Sequence, residues 1–225
     1  MSRKTNSTSL KLGKTQLWTV SAQQYGKSLS TFFNFKICYY LFLLMNILTH
    51  KTKFSWNLVN CHVKFNQLFI VIYAHNEEKC DLRYTKLLVD HFKKLNYNCV
   101  VQVYPKEFMF SSSLIVAYFK KLLTLNLTPK KGLLMLTTLL TRNIGISKNV
   151  YSKYGAHYLL LKGFKIRITG RLENSKSPMT QTLEQVHGNL SLIKLTNYVE
   201  YTNFFLFSKL GTCNFQIWLF YKIVI

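Results

Sequence analysis

Gly163-Phe-Lys-Ile-Arg-Ile-Thr-Gly-Arg-Leu172 is the stretch on which the fold turns. Its alternation sends Phe164, Ile166 and Ile168 to one face of a strand and Lys165 and Arg167 to the other. Arg171 follows a glycine, which allows a turn and a close backbone approach. The pattern predicts a strand with an apolar underside and a cationic ridge. Such a ridge could track a phosphate backbone or could be a solvated outer face, and the pattern alone divides the two evenly.

Outward from this strand, the downstream chain reads as β-rich, with strands expected at about Leu190 to Leu195, Tyr198 to Phe207 and Phe215 to Val224. Upstream, Asn143 to Gly155 reads as a loop or linker because of its glycines and basic neighbours. Leu114 to Leu125 and Leu133 to Leu140 read as helices separated by Pro129-Lys-Lys-Gly132. Farther back, Tyr84, Leu87, Leu88, Phe92 and Leu95 mark an amphipathic helix, with His91 at its apolar edge. That helix lies between a strand pair (Cys61 to Phe65, Leu68 to Ala74) and a strand at Cys99 to Tyr104. Helical spacing from Ser28 to Leu48 predicts one or two buried helices. The order defines an α+β chain.

Across 225 residues, 30 Lys and Arg stand against 8 Asp and Glu, a formal charge of +22. That excess sets the chain apart from ordinary soluble enzymes and calls for a polyanion, either nucleic acid or an anionic membrane surface. With 48% apolar residues, it also excludes a disordered basic tail. The longest apolar run, Ile37 to Thr49, falls short of the roughly 20 residues a membrane span needs, so no span is expected. Phe 17 and Tyr 14 against Gly 9 and Pro 3, with Lys far exceeding Arg, suggest an AT-rich coding genome such as an organelle's. Part of the charge is therefore codon drift.

Five scattered cysteines, Cys38, Cys61, Cys80, Cys99 and Cys213, form no CxxC pair, and a disulfide framework is not expected. His75, Cys80, His91 and Cys99 fit no zinc spacing. Glu77, Glu78 and Asp81 share one turn and read as solvated. No phosphate loop, nucleophile triad or HExxH helix is present, so the reading is of a protein that is not an enzyme, with no catalytic residues, metal or cofactor.

The stretch Gly163 to Leu172 resembles the GxKIxxxGRL signature of small-subunit ribosomal protein three, the KH-domain protein of the subunit head. Gly188-Asn-Leu-Ser-Leu192, Leu195 and Tyr201, followed by Gly211-Thr-Cys-Asn-Phe-Gln-Ile-Trp218-Leu-Phe220, are similar to that family's closing patterns, GxxPLxxLxxxxxY and GxxGVKVWIF. Ser191 stands in place of proline, Asn214 in place of a glycine and Gln216 in place of a lysine. Lys11-Leu12-Gly13 with Trp18 resembles the family's RLGxxxxW opening. Because this motif begins almost at Met1, the expectation is no cleaved presequence and a protein both encoded and used in the organelle, the mitochondrion rather than the plastid.

The resemblance implies a degenerate type II KH-like N-terminal domain followed by a β-rich α+β C-terminal domain. Expected boundaries are 1–50 for an arm and helical segment, 51–128 for the KH-like domain, 129–155 for a helix and linker, and 156–225 for the C-terminal domain. A KH domain clamps single-stranded backbone through a GxxG loop. The matching segment here, His75-Asn-Glu-Glu-Lys-Cys-Asp81, has no glycine and three acids, so the clamp is expected to be lost. The family's mRNA-facing basic helix, RRxxKR, corresponds to Leu133 to Arg142, which keeps only Arg142. Unwinding of mRNA is therefore not expected of this chain.

The function implied is a structural constituent of the mitochondrial small subunit, binding rRNA in the head near the path by which mRNA enters. Implied partners are small-subunit rRNA, neighbouring head proteins and mRNA. The residues expected to contact RNA are Lys4, Lys11, Lys14, Lys165, Arg167 and Arg171. Two alternatives are an organellar intron maturase, which would require a paired-carboxylate metal motif, and a cationic peripheral membrane protein anchored by Ile37 to Thr49.

Overall fold

The computed structural model describes residues 6–17, 36–37, 39–41, 43, 56–64, 67–75, 82–94, 98–106, 111–124, 128–152, 154–172, 179–208 and 211–224. The chain is α+β and forms two compact units, Trp18–Phe108 and Met1–Leu17 together with Met109–Ile225.

In the first of these, β1 (Trp56–Lys64) and β2 (Gln67–His75) are antiparallel. Helix α1 (Leu82–Lys94) then returns the chain so that β3 (Asn98–Lys106) lies parallel to β2, giving the sheet order β1-β2-β3. Parallel neighbours require such a crossover. Leu68, Ile70 and Ile72 alternate onto one buried face of β2, and Leu88 and Phe92 are buried on α1. Leu87, expected on the apolar stripe, is instead exposed, lying beside the buried arc that Leu88 and Phe92 define. His91 takes the edge position: its Nε2 lies 3.0 Å from the Tyr40 hydroxyl, and the two rings stack. Most of the expected helix between Ser28 and Leu48 lies outside the described residues, although Lys36, Ile37, Tyr39, Tyr40, Leu41 and Leu43 are helical.

The second unit is a five-stranded antiparallel sheet with two helices. Its centre is β5 (Gly155–Gly170) paired with β8 (Gly211–Val224), and β7 (Asn197–Ser208) flanks β8. The other edge of β5 is shared. β4 (Ser147–Ser152) pairs its first residues, and β6 (Gln181–Gly188) pairs it from Gly163 to Gly170. As the alternation demands, Phe164, Ile166 and Ile168 are buried, opposite Leu219, Ile217 and Phe215 of β8.

Helices α2 (Ser112–Thr124) and α3 (Pro129–Arg142) contribute to this apolar core: α2 packs on β7 and β8, and the Phe119 ring stacks on Phe215 with centroids 4.4 Å apart. Proline opens α3 at a position where its missing N–H costs nothing. The unit thus takes in α2, and the boundary expected between 128 and 129 falls inside it.

Two strand assignments also need correction. Asn143 to Gly155, read as a linker, contains the edge strand β4, whose polar sequence shows no apolar alternation because one edge and one face are solvated. Leu190 to Leu195, read as a strand, is a turn-rich connection. It must cross β5 and β8 to carry the chain from β6 to β7.

A polar cluster is enclosed on the helix side of the sheet. Lys148 of β4 pairs with Glu200 of β7, whose other carboxylate oxygen accepts the Ser112 N–H at the start of α2 (3.1 Å). The ammonium also sits 4.3 Å from the Tyr221 ring centroid. Burial first, and the Glu200 charge second, push the Tyr198 and Tyr221 phenols above their ordinary range. In the unfolded chain both phenols ionise near pH 10, whereas in the fold they keep their protons. Stability is therefore complete below about pH 10 and is lost above it, by up to about 1.4 kcal/mol per pH unit for each phenol. Urea midpoints measured across this range should fall steeply for the wild type and much less for Tyr198→Phe/Tyr221→Phe.

Candidate nucleic-acid interface

The register defines what the outer face of the C-terminal sheet carries. Val186, Lys165, Trp218 and Tyr201 stand in one cross-strand row; Glu184, Arg167, Gln216 and Asn203 form the next. Directly opposed residues share a face, so this surface combines cations, amides and aromatic rings. Trp218 and Tyr201 have ring centroids 5.1 Å apart, and Gln216 Nε2 donates to the Tyr201 hydroxyl at 3.2 Å. Phe205 and Phe207, farther along β7, are well exposed.

The ridge is less cationic than its strand suggests. Glu184 on β6 meets both Lys165 (Nζ to Oε2, 3.0 Å) and Arg167 (Nε to Oε1, 3.1 Å). All three side chains keep substantial solvent contact, so these pairs add little stability and exchange readily for phosphate contacts.

The other expected RNA contacts are dispersed. Arg171 is half-buried just beyond β5, where its carbonyl accepts from the Cys213 thiol. Lys14 is exposed on the N-terminal arm. That arm docks on the C-terminal unit, with Gln16 Nε2 donating to the Val199 carbonyl of β7, so the opening motif meets the closing one across 183 positions of sequence. Gly13, at φ 80°, makes the turn that closes back on Gln16. Lys11 is fully buried within the unit, and burial lowers its ammonium to about 8. Lys4 and the segment Asn76 to Asp81 lie outside the described residues.

Sequence reasoning missed Lys162, Lys194 and Lys222, which meet in one cleft with Asn189, Ser191, Thr196 and Asn197. Only their shared lack of a nearby acid could have drawn attention to them.

Among the described residues no three His, Cys, Asp or Glu converge as a metal site. The Cys99 thiol is pushed up by burial to about 11, far from a reactive thiolate. No described helix is long and apolar enough to cross a membrane. What the described residues offer is a sheet surface of cations, amides and aromatic rings, the chemistry of a nucleic-acid-binding class of protein.

No family model matches the chain. It is similar to the small ribosomal subunit protein uS3m of Chondrus crispus, with 32% identity over 234 aligned residues that take in 98% of this chain and 94% of that protein. The chain belongs to the uS3 family of small-subunit ribosomal proteins, in its mitochondrial form. It is accordingly a structural, non-enzymatic component of translation in the mitochondrion.

Proposed function

We propose that this chain anchors small-subunit rRNA in the subunit head, close to where mRNA enters, through the C-terminal unit and the arm docked on it. The observation that carries this reading is the use of acids in that unit. Its two described carboxylates, Glu184 and Glu200, are both engaged by internal cations, so exposed cations such as Lys14, Lys162, Lys194 and Lys222 add positive charge that neither of them offsets. Lys14, Lys165, Arg167 and Arg171 fit that role by position, whereas the enclosed Lys11 fits a structural one, and Lys4 is kept as a contact from the sequence alone. Neighbouring head proteins would cover exposed apolar side chains such as Leu134 and Met135 of α3.

The N-terminal unit is read as a KH-like scaffold. An antiparallel pair followed by a helix and a strand parallel to the middle one supports a type II KH order. The acidic, glycine-free segment after β2 is a poor phosphate clamp. The helix α3 region from Leu133 to Arg142, matched to the resembled family's basic helix, exposes Leu134, Met135, Thr138 and Thr141 and keeps only Arg142 as a cation, so this chain would not unwind mRNA.

Binding of the purified chain to small-subunit rRNA, titrated with salt, tests the anchoring role. Replacing Lys165, Arg167 and Arg171 together by Gln should flatten the plot of log K against log salt by about 1–2, less than three free cations would, because Glu184 already offsets part of their charge. An unchanged slope would remove these residues from the interface. Failure of the wild-type chain to bind rRNA, or to sediment with small subunits, would overturn the function itself.

A further inference from the structure

We propose that the cleft lined by Lys162, Lys194 and Lys222 is a phosphate-backbone site, holding a short run of RNA where the β6–β7 connection crosses the sheet. This deepens the rRNA-anchoring reading and rests on it.

Topology creates the cleft. β6 pairs with one edge of β5, whereas β7 lies beyond β8, so residues 189–196 must pass across both central strands. They pass where β5 is irregular: Leu161 opposes Tyr221 and Gly163 opposes Phe220, leaving Lys162 as the extra residue of a bulge. A bulge re-aims a side chain, and here the side chain is a lysine at the cleft wall. Lys222 stands opposite both Leu160 and Asn197, and Lys194 comes from the crossing connection. The connection is held by its own bonds, with Asn197 Nδ2 donating to Ser191 Oγ and the Asn197 N–H donating to the Lys194 carbonyl at 3.2 Å. Shape is therefore present before a ligand arrives, which lowers the ordering cost of binding.

The chemistry selects the ligand. The cleft encloses about 560 Å³, and its lining combines three lysines with the amides and hydroxyls of Asn189, Ser191, Thr196 and Asn197. Among the described residues no carboxylate lines it. All three lysines are exposed, and neither Glu184 nor Glu200, the acids described in this unit, pairs with them. Point-like ammonium groups set around neutral donors suit a chain of phosphodiesters, which needs charge and hydrogen bonds without base-specific geometry. Ser191 belongs to this wall: the serine found where the family pattern has proline supplies a hydroxyl that proline lacks.

The test uses the full chain and a full-length transcript of the small-subunit rRNA. Lys162→Gln/Lys194→Gln/Lys222→Gln should weaken binding about tenfold or more near 0.1 M salt and reduce the log–log salt slope by about 3. A control with the same charge loss, Lys86→Gln/Lys93→Gln/Lys94→Gln on α1, should change affinity by less than about threefold, and Arg at the three cleft positions should restore binding. Unchanged circular dichroism of the Gln variant excludes a folding defect, since the side chains replaced are exposed. Equal losses in the cleft variant and the control would overturn the site and leave the rRNA reading standing. Absence of wild-type binding would overturn that reading and the site with it. Retained rRNA affinity together with loss of binding to phosphatidylglycerol vesicles would reassign the cleft to lipid and overturn the proposal.

Discussion

Substitution of Gly188 by alanine is expected to destabilise the C-terminal unit by about 3 kcal/mol or more and to free β6 from the sheet. Gly188 ends β6 at φ 79°, and a Cβ there would lie 2.2 Å from the Lys162 carbonyl oxygen and 2.9 Å from the Cα of Gly163. Both obstacles are backbone, so no rotamer change relieves them. Opposite, a Cβ on Gly163 would meet the His187 carbonyl oxygen at 2.6 Å. The two glycines face each other in register, which lets β5 and β6 close up just before the chain turns across the sheet. Because β6 pairs with β5 alone among the described strands, detaching it is the cheapest escape, and that step caps the cost. Hydrogen exchange should show lost protection over Gln181 to Gly188 while β5 and β8 stay protected against each other. A urea midpoint equal to wild type with β6 protection intact would contradict this account.

Which parts of the fold were legible in the sequence follows from burial. β5 and β8 are central strands with one face in the core, so they carry strong apolar alternation, and Phe164, Ile166 and Ile168 fall on the expected side. β4 and β6 are edge strands built from polar residues, Ser147-Lys-Asn-Val-Tyr-Ser152 and Gln181-Thr-Leu-Glu-Gln-Val-His-Gly188. Backbone pairing with β5, which leaves no mark on composition, defines them. Leu190 to Leu195 shows the converse: its apolar residues suggest a strand, yet Ile193 and Leu195 are exposed on a crossing connection.

The interface was legible to the same degree. Lys165 and Arg167 could be placed on a common face from alternation alone, but their neutralising partner, Glu184, could not, since it arrives on the strand that composition conceals. The cleft lysines come from a bulge, a connection and the far end of β8. Their convergence depends on strand order, which no local pattern encodes. The docking of the N-terminal arm on β7 is likewise a long-range fact, although it explains why two motifs at opposite ends of the chain belong to one domain.

Replacement of Glu200 by alanine is expected to cost about 3–5 kcal/mol, because it removes one partner of a largely enclosed ion pair. The Lys148 side chain is 6% exposed and that of Glu200 16%, so water replaces the lost partner poorly. The same substitution strips the acceptor from the Ser112 N–H, a first-turn donor of α2 with no intrahelical partner. Glu200→Gln separates the two effects: its amide oxygen can still accept from Ser112, whereas the charge pairing with Lys148 is lost, so most of the loss should persist. Replacing both partners, as Lys148→Met/Glu200→Leu, should recover stability to within about 2 kcal/mol of wild type, since an apolar pair needs no desolvation of charge. The Tyr198 and Tyr221 rings flanking the ammonium would then pack against methionine. A double-mutant cycle on urea midpoints measures the coupling directly. If Glu200→Ala loses under 1 kcal/mol, the pair does not hold β4, β7 and α2 together, and the edge strand β4 must owe its place to backbone pairing with β5 alone.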